Sequence, residues 1–207
     1  MLEKVRALLN KGVTREIYFG YIAYFLPEMD PRYQMIQRAY DSTEKACSEE
    51  QRATGERYFD HVSAVGIIQV AYLMVKKHTV LTAGITHDLT EDHRKDWPIS
   101  RIRLEFGEEV ALLQDYASKL PKENFSSEAE RLKAYHGRFP FAPRDFWLFK
   151  LPDRLHNLLT MWNFSPEKIA FKIAETGRYY LPYAEEHCIL IHELKEVIEE
   201  LKKSKPS

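Results

Sequence analysis

Four residues far apart in the chain, His61, the adjacent pair His87 and Asp88, and Asp153, carry the side chains best suited to chemistry. Two imidazoles and two carboxylates make a mixed nitrogen and oxygen donor set of the kind that holds a divalent transition metal. A His-Asp dipeptide alone says little. Here it closes the apolar run Val80-Leu81-Thr82-Ala83-Gly84-Ile85-Thr86 and precedes Leu89-Thr90-Glu91-Asp92. If that stretch is helical, Glu91 lies one turn beyond His87 and Asp92 one turn beyond Asp88, because residues four apart share a face. Any one of these groups by itself is more often a core hydrogen-bond partner, a helix cap or part of a solvated acidic turn. Gathered in one pocket they are costly unless a cation or a reaction needs them. The pattern predicts a metal-dependent phosphohydrolase.

The elements that must position these groups read as helices nearly throughout. Asp30-Pro31 is a helix start, an N-cap acid with Pro at the first helical position. Met35, Ile36, Ala39 and Tyr40 follow at helical spacing. From Phe59 to Val75 a broad apolar face (Val62, Val65, Gly66, Ile67, Val70, Leu73, Met74) predicts a central helix. Trp97-Pro98-Ile99-Ser100 forms a loop leading into a helix from Ile102 to Leu120, broken at Phe106-Gly107. Pro140 to Pro143 marks a break before Phe146 to Trp162, and Ser165-Pro166-Glu167 repeats the cap-then-proline pattern before Ile169 to Tyr180. A last helix runs from Ile189 to Lys202 and ends in a frayed tail. No alternating strand pattern, internal repeat or low-complexity linker interrupts this order. The expectation is one all-α domain over residues 1–207.

Composition narrows the function classes. A chain of 207 residues supports one well-buried core, or at most two small ones. With 44% hydrophobic and 29% charged residues it is an ordinary globular composition. A net charge of −1 argues against extended nucleic-acid binding, while a local group of Arg and Lys can still serve a small anionic substrate. Cys47 and Cys188 are widely spaced and read as reduced thiols. The charged start Met1-Leu2-Glu3-Lys4-Val5-Arg6 is no signal h-region, and no apolar run approaches the ~18 residues of a membrane span. The expected location is the cytoplasm, without a membrane partner. Oligomeric state is left open.

The sequence also resembles the hydrolase region of the RelA/SpoT proteins. Matching segments are Arg52-Ala53-Thr54-Gly55-Glu56-Arg57-Tyr58-Phe59-Asp60-His61, Gly84-Ile85-Thr86-His87-Asp88-Leu89-Thr90-Glu91-Asp92, Phe106-Gly107-Glu108-Glu109-Val110-Ala111, Ser118-Lys119-Leu120, Lys150-Leu151-Pro152-Asp153-Arg154-Leu155-His156-Asn157-Leu158-Leu159-Thr160, and Glu175-Thr176 through Ala184. They span roughly residues 30 to 185, in order. The resemblance implies an HD-type helical bundle that hydrolyses the alarmones ppGpp and pppGpp with bound Mn²⁺, in a small, hydrolase-only form. It places the metal ligands on His61, His87, Asp88 and Asp153. The donor set itself is equally compatible with Fe²⁺, Co²⁺ or Zn²⁺.

By the same resemblance Glu91 and Asp92 are the acidic pair beside the metal, expected to orient and deprotonate the attacking water. Arg52 and Thr54 are expected to cover a guanine, a planar guanidinium being suited both to stacking and to phosphate. Asn157 and Thr160, one and two turns beyond Asp153, are expected to touch the nucleotide. Their plainer alternative is polar helix residues bonded to backbone. Three departures stand out: Ala53 where a basic residue is usual, His93 where a small hydroxyl residue is usual, and Pro152 in place of Ala. Pro152 removes a helical hydrogen bond and is expected to kink its helix near Asp153. His78, His136, His156, His187 and His192 read as surface or structural, His156 as packing. Other readings are an HD phosphohydrolase of deoxynucleotides or of a 3′-phosphorylated cofactor such as NADPH, and a non-catalytic alarmone-binding module.

Overall fold

The structure, a computed structural model, describes residues 1–53 and 55–203. The described residues form helices α1 (Leu2–Leu9), α2 (Arg15–Ala23), α3 (Pro31–Ala46), α4 (Tyr58–Ile67), α5 (His78–Thr86), α6 (Leu89–Asp92), α7 (Ile99–Phe106), α8 (Glu108–Ala117), α9 (Glu128–His136), α10 (Arg144–Leu159), α11 (Pro166–Tyr179), α12 (Leu181–His187) and α13 (Ile191–Lys203). Among them no strand occurs, only an isolated antiparallel bridge between Gln51 and Arg57. The all-α expectation holds. Among the described residues no helix is long and apolar enough to cross a membrane.

Local chemistry sets the helix starts. Asp30 accepts a hydrogen bond from the Arg32 amide at 2.8 Å, with Pro31 at the first helical position, and Ser165 caps α11 through the Lys168 amide. Gly107, at φ 91, separates α7 from α8, a backbone conformation that a side chain disfavours. α10 passes through Pro152 as one continuous helical segment.

The centre consists of α4, α5 and α10 packed on one another, with α3 and α8 against α5. Every residue of α4 from His61 to Ile67 is buried, as expected of a helix apolar on all sides. The central helix does not run regularly to Val75. After Ile67 it widens into a π turn over Ile68–Tyr72, with the Leu73 amide bonded to the Ile68 carbonyl at 2.9 Å, and Met74 stands at φ 55. Gln69, fully buried in that turn, donates to the Val80 carbonyl at 3.1 Å and lies over Gly84 of α5. A Cβ at position 84 would stand 1.7 Å from Gln69 Oε1, so the glycine makes the close crossing of α4 and α5 possible. Aromatic side chains fill the remainder: Tyr18, Tyr40 and Phe59 on one side, and Phe139, Phe146, Trp147 and Tyr180 on the other.

Candidate active site

Each helix of the central trio delivers one part of the site. α4 supplies His61 in its first turn, the end of α5 supplies His87 with Asp88 just after it, and α10 supplies Asp153. His61 Nε2 lies 3.3 Å from Asp153 Oδ1, and His87 Nε2 lies 3.0 Å from Asp88 Oδ2 and 3.7 Å from Asp153 Oδ1. Donor atoms of His61, His87 and Asp88 fall within 4.8 Å of one another.

The outer ring nitrogens aim this set. His87 Nδ1 donates to the Gly84 carbonyl at 2.8 Å, so Nε2 faces the carboxylates. That Nε2 is buried and has no hydrogen-bond partner. His61 Nδ1 lies 2.8 Å from His156 Nδ1, which leaves His61 Nε2 to face Asp153. His156 therefore orients an expected ligand; the sequence reading of it as packing alone understated it. Its place three residues after Asp153, on the next turn of α10, was the available signal.

Electrostatics fit a cation. Burial pushes His61 below its ordinary value and His156 well below, so both rings are neutral. Burial also opposes charge on His87, yet Asp88 and Asp153 outweigh it and raise the ring to about 10. The ring proton so favoured occupies the spot a divalent ion would take, and metal binding releases protons from such ligands. Burial resists ionisation of Asp153, but Lys150, 2.8 Å away, holds the carboxyl well below the usual range. An orphaned imidazole nitrogen facing two carboxylates and a second neutral imidazole fits a divalent metal held by His61, His87, Asp88 and Asp153.

Glu91 and Asp92 both border the same cavity, from the short α6 that follows a turn at His87 and Asp88. The helix is interrupted here, but the Asp92 amide still bonds to the Asp88 carbonyl at 2.9 Å, preserving their one-turn offset. Tyr58 Oη lies 2.7 Å from Asp88 Oδ2 and 2.8 Å from Asp92 Oδ2, linking the metal set to the acidic pair. Burial and then the charge of Asp88 raise the Asp92 carboxyl above its ordinary range. Glu91 pairs with Lys119 Nζ at 2.8 Å.

Two of the other expected residues, Arg52 and Asn157, border the same cavity. Arg52 donates to Thr160 Oγ1 at 3.0 Å and to Asn157 Oδ1 at 2.7 Å, while Asn157 Nδ2 donates to Asp153 Oδ1 at 2.5 Å. Thr160 also donates to the His156 carbonyl at 3.1 Å, the backbone bond of the plainer reading. Thr54 lies outside the described residues. Ala53 lines the cavity, whereas His93 packs beside Cys47 and Glu50.

The cavity has a volume of about 440 Å³. Its lining includes Lys119, Arg154, Lys168 and Lys172, a basic group that the near-zero net charge concealed. Arg154 and Lys172 each pair with buried Glu175 at 2.8 Å, and the Arg154 guanidinium lies 3.9 Å from the Tyr180 ring centre. Sequence reasoning assigned no role to Tyr58, Lys150, Arg154, Lys172 or Glu175. Only the three-residue spacing of Lys150 and Asp153 on one helix hinted at a pair.

Comparison with known proteins places this arrangement. A family model described as "HD domain" matches residues 39–187, most of the chain and all of the metal set. The chain belongs to the HD domain family. Among sequence relatives of this HD domain protein, a guanosine-3′,5′-bis(diphosphate) 3′-pyrophosphohydrolase from Aquifex aeolicus is 34% identical over 166 residues, 80% of this chain and 23% of the relative. The bifunctional (p)ppGpp synthase/hydrolase SpoT of Escherichia coli K12 is 31% identical over 185 residues, 87% of this chain and 25% of the relative. A GTP pyrophosphokinase of Streptomyces coelicolor is 34% identical over 170 residues, 81% of this chain and 19% of the relative. The chain thus spans about a fifth to a quarter of the length of these relatives. A solved structure described as a metazoan ortholog of SpoT that hydrolyses ppGpp superposes with a TM-score of 0.70, covering 80% of this chain and 94% of that one at 18% identity. The HD domain fold is common to both.

Proposed function

We propose that this HD domain protein hydrolyses the 3′-diphosphate of ppGpp and pppGpp, releasing pyrophosphate and leaving GDP or GTP. The observation that carries this reading is the joining of three parts at one cavity: the His61, His87, Asp88 and Asp153 set, the Glu91 and Asp92 pair beside it, and the Arg52, Asn157 and Thr160 group bonded to it through Asp153. The relatives named for that hydrolysis support the substrate class. Mn²⁺ is the proposed metal. When bound, a divalent ion supplies Lewis acidity to the phosphate and acidifies water.

The chain's own residues account for the remaining work. Asp92 is the proposed acceptor of the proton from the attacking water, with Glu91 orienting it. Water adds to the phosphorus nearest the ribose, the bond from that phosphorus to O3′ breaks, and O3′ regains a proton. Arg52 and Thr54 are assigned to the guanine, and Asn157 and Thr160 to the ribose and 3′-phosphate side. Lys119, Arg154 and Lys172 offer positive charge to a substrate with several phosphates. The free thiols of Cys47 and Cys188 support a reducing compartment such as the cytoplasm, and the helices flanking the matched region support one domain over the chain.

The test is product analysis with ppGpp, pppGpp, NADPH and deoxynucleotides, each with Mn²⁺ and with chelator. Pyrophosphate and GDP from ppGpp, only with metal, is the expected result. His87→Ala and Asp153→Ala should lose both the cavity's Mn²⁺ and the turnover. Turnover of NADPH or a deoxynucleotide with none of ppGpp would replace the substrate. Binding of ppGpp without products would make the chain a sensor.

A further inference from the structure

A second group of ligand-type side chains lies outside the cavity and has no part in the chemistry above. Cys47 follows α3, Glu50 is three residues on, and His93 follows α6. Cys47 Sγ is 3.6 Å from His93 Nε2, and the same nitrogen is 3.3 Å from Glu50 Oε1. All three donor atoms fall within 4.8 Å of one another. Cys47 is buried, while His93 and Glu50 open progressively toward solvent.

Hydrogen bonding accounts poorly for this geometry. One imidazole nitrogen carries either one hydrogen or one lone pair, yet a sulfur and a carboxylate oxygen both converge on it. A charge-assisted hydrogen bond to a carboxylate is usually about 2.7–2.9 Å long, so 3.3 Å is a loose one. The distances instead match the edges of a metal tetrahedron. Zinc bonds of about 2.3 Å to sulfur and about 2.0–2.1 Å to nitrogen and oxygen give edges of about 3.6 Å for S···N and about 3.3 Å for N···O.

We propose that Cys47, Glu50 and His93 form a second metal site, for Zn²⁺ or another thiophilic divalent ion, with its fourth position open to water on the Glu50 side. Thiolate among the donors selects a softer ion than the mixed nitrogen and oxygen set of the cavity does. Burial pushes the free Cys47 thiol up to about 12, so it keeps its proton at neutral pH until an ion displaces it. The ion would tie the end of α3 to the end of α6. The Glu50 carbonyl accepts from the Tyr58 amide at 2.9 Å, and Arg52 follows two residues later. One site would therefore pin both the segment bearing Arg52 and the turn bearing Glu91 and Asp92.

The experiment uses the full chain, stripped with chelator, loaded with Zn²⁺ or Co²⁺ and desalted. His87→Ala disables the cavity site, so any retained ion reports the second one. This variant should hold one zinc per chain by elemental analysis, and its Co²⁺ form should show a near-ultraviolet thiolate-to-cobalt band. Adding Cys47→Ser or His93→Ala should abolish both signals, with circular dichroism confirming retained helix. Adding Cys188→Ser should leave both unchanged. Absence of zinc from His87→Ala, or a Co²⁺ spectrum without the thiolate band, overturns the proposal even if the Cys47→Ser variant fails to fold. Loss of the band in Cys188→Ser would trace it to the exposed thiol and overturn it equally.

Discussion

Asp92 and Asp88 are one turn apart and share the Tyr58 hydroxyl, yet the proposal gives them different work. Asp88 faces His87 and belongs to the metal set, whereas the Asp92 carboxyl is raised by burial and by Asp88 itself. An acceptor must be ionised to take a proton, so turnover should fall as pH drops through this raised value. The acid limb of kcat/KM is expected above the ordinary aspartate range, and a limb at or below that range would remove Asp92 from the role. Asp92→Asn and Glu91→Gln should each retain the metal while lowering kcat by about 10²–10⁴-fold. Elemental analysis alongside steady-state rates separates the two effects, and near-normal rates in both variants would return the pair to an acidic turn. The residue types in the metal set were legible in the sequence because His and Asp at those positions serve few other purposes together. Lys150 and Glu175 were not, since a buried Lys or Glu is recognised only once its partner, distant in the chain, is beside it.

At the scale of the elements, the α4–α5 crossing and the α10–α11 pairing hold the site in shape. Gly84→Ala drives a Cβ into Gln69, a fully buried side chain bonded to Val80. Overpacking of this kind costs about 1–3 kcal/mol, read as a lowered urea midpoint. The Gly84 carbonyl anchors His87 Nδ1, so metal retention should weaken as well. An unchanged midpoint would mean that Gln69 relocates freely. Across α10 and α11, Glu175→Gln leaves the buried Arg154 guanidinium without its counter-charge, at a cost of about 3–5 kcal/mol. Burial resists the Glu175 charge, but His136, Arg154 and Lys172 hold its carboxyl well below the usual glutamate range. Its stabilisation is therefore complete above the ordinary glutamate value and is lost as pH falls through that range toward the folded one. Thermal melts of wild type and Glu175→Gln should converge on acidification; a constant gap would place the effect in packing. Helix starts at Pro31 and Pro166 were readable because caps are local. The π turn after Ile67 was not, since it depends on Gln69 meeting a glycine 15 positions on.

For the whole molecule, the site lies where the three central helices meet, so occupancy and global stability are coupled. A ligand that binds only the folded state stabilises by about 2.7 kcal/mol at a hundredfold excess over Kd. Mn²⁺ should raise the melting temperature of the chelator-stripped wild type and leave that of stripped Asp153→Ala unchanged. A shift that survives in Asp153→Ala would locate the ion elsewhere. The helical architecture was readable at this scale because apolar spacing repeats along nearly every segment. The basic wall of the cavity was hidden for the opposite reason: Lys119, Arg154 and the α11 pair Lys168 and Lys172 come from three separate segments, and the net charge averages them with the acidic residues.

Arg52 holds Asn157 and Thr160, the very groups assigned to the nucleotide. In this state the pocket answers its own hydrogen-bonding needs, like a latch resting on its catch. A nucleotide must compete with those internal partners, so part of its binding energy goes into releasing them. Cutting either side of the latch should then cost less than an intact contact with substrate is worth, and cutting both should cost more than the sum, because the release is saved in each single variant but only once in the double. The coupling in a double-mutant cycle of Arg52→Ala with Asn157→Ala, read as Kd for a nonhydrolysable alarmone analogue, measures this. Strict additivity would mean that the latch is already open when the nucleotide arrives. With a closed latch, the observed association rate should level off at high nucleotide concentration, at the rate at which Arg52 lets go.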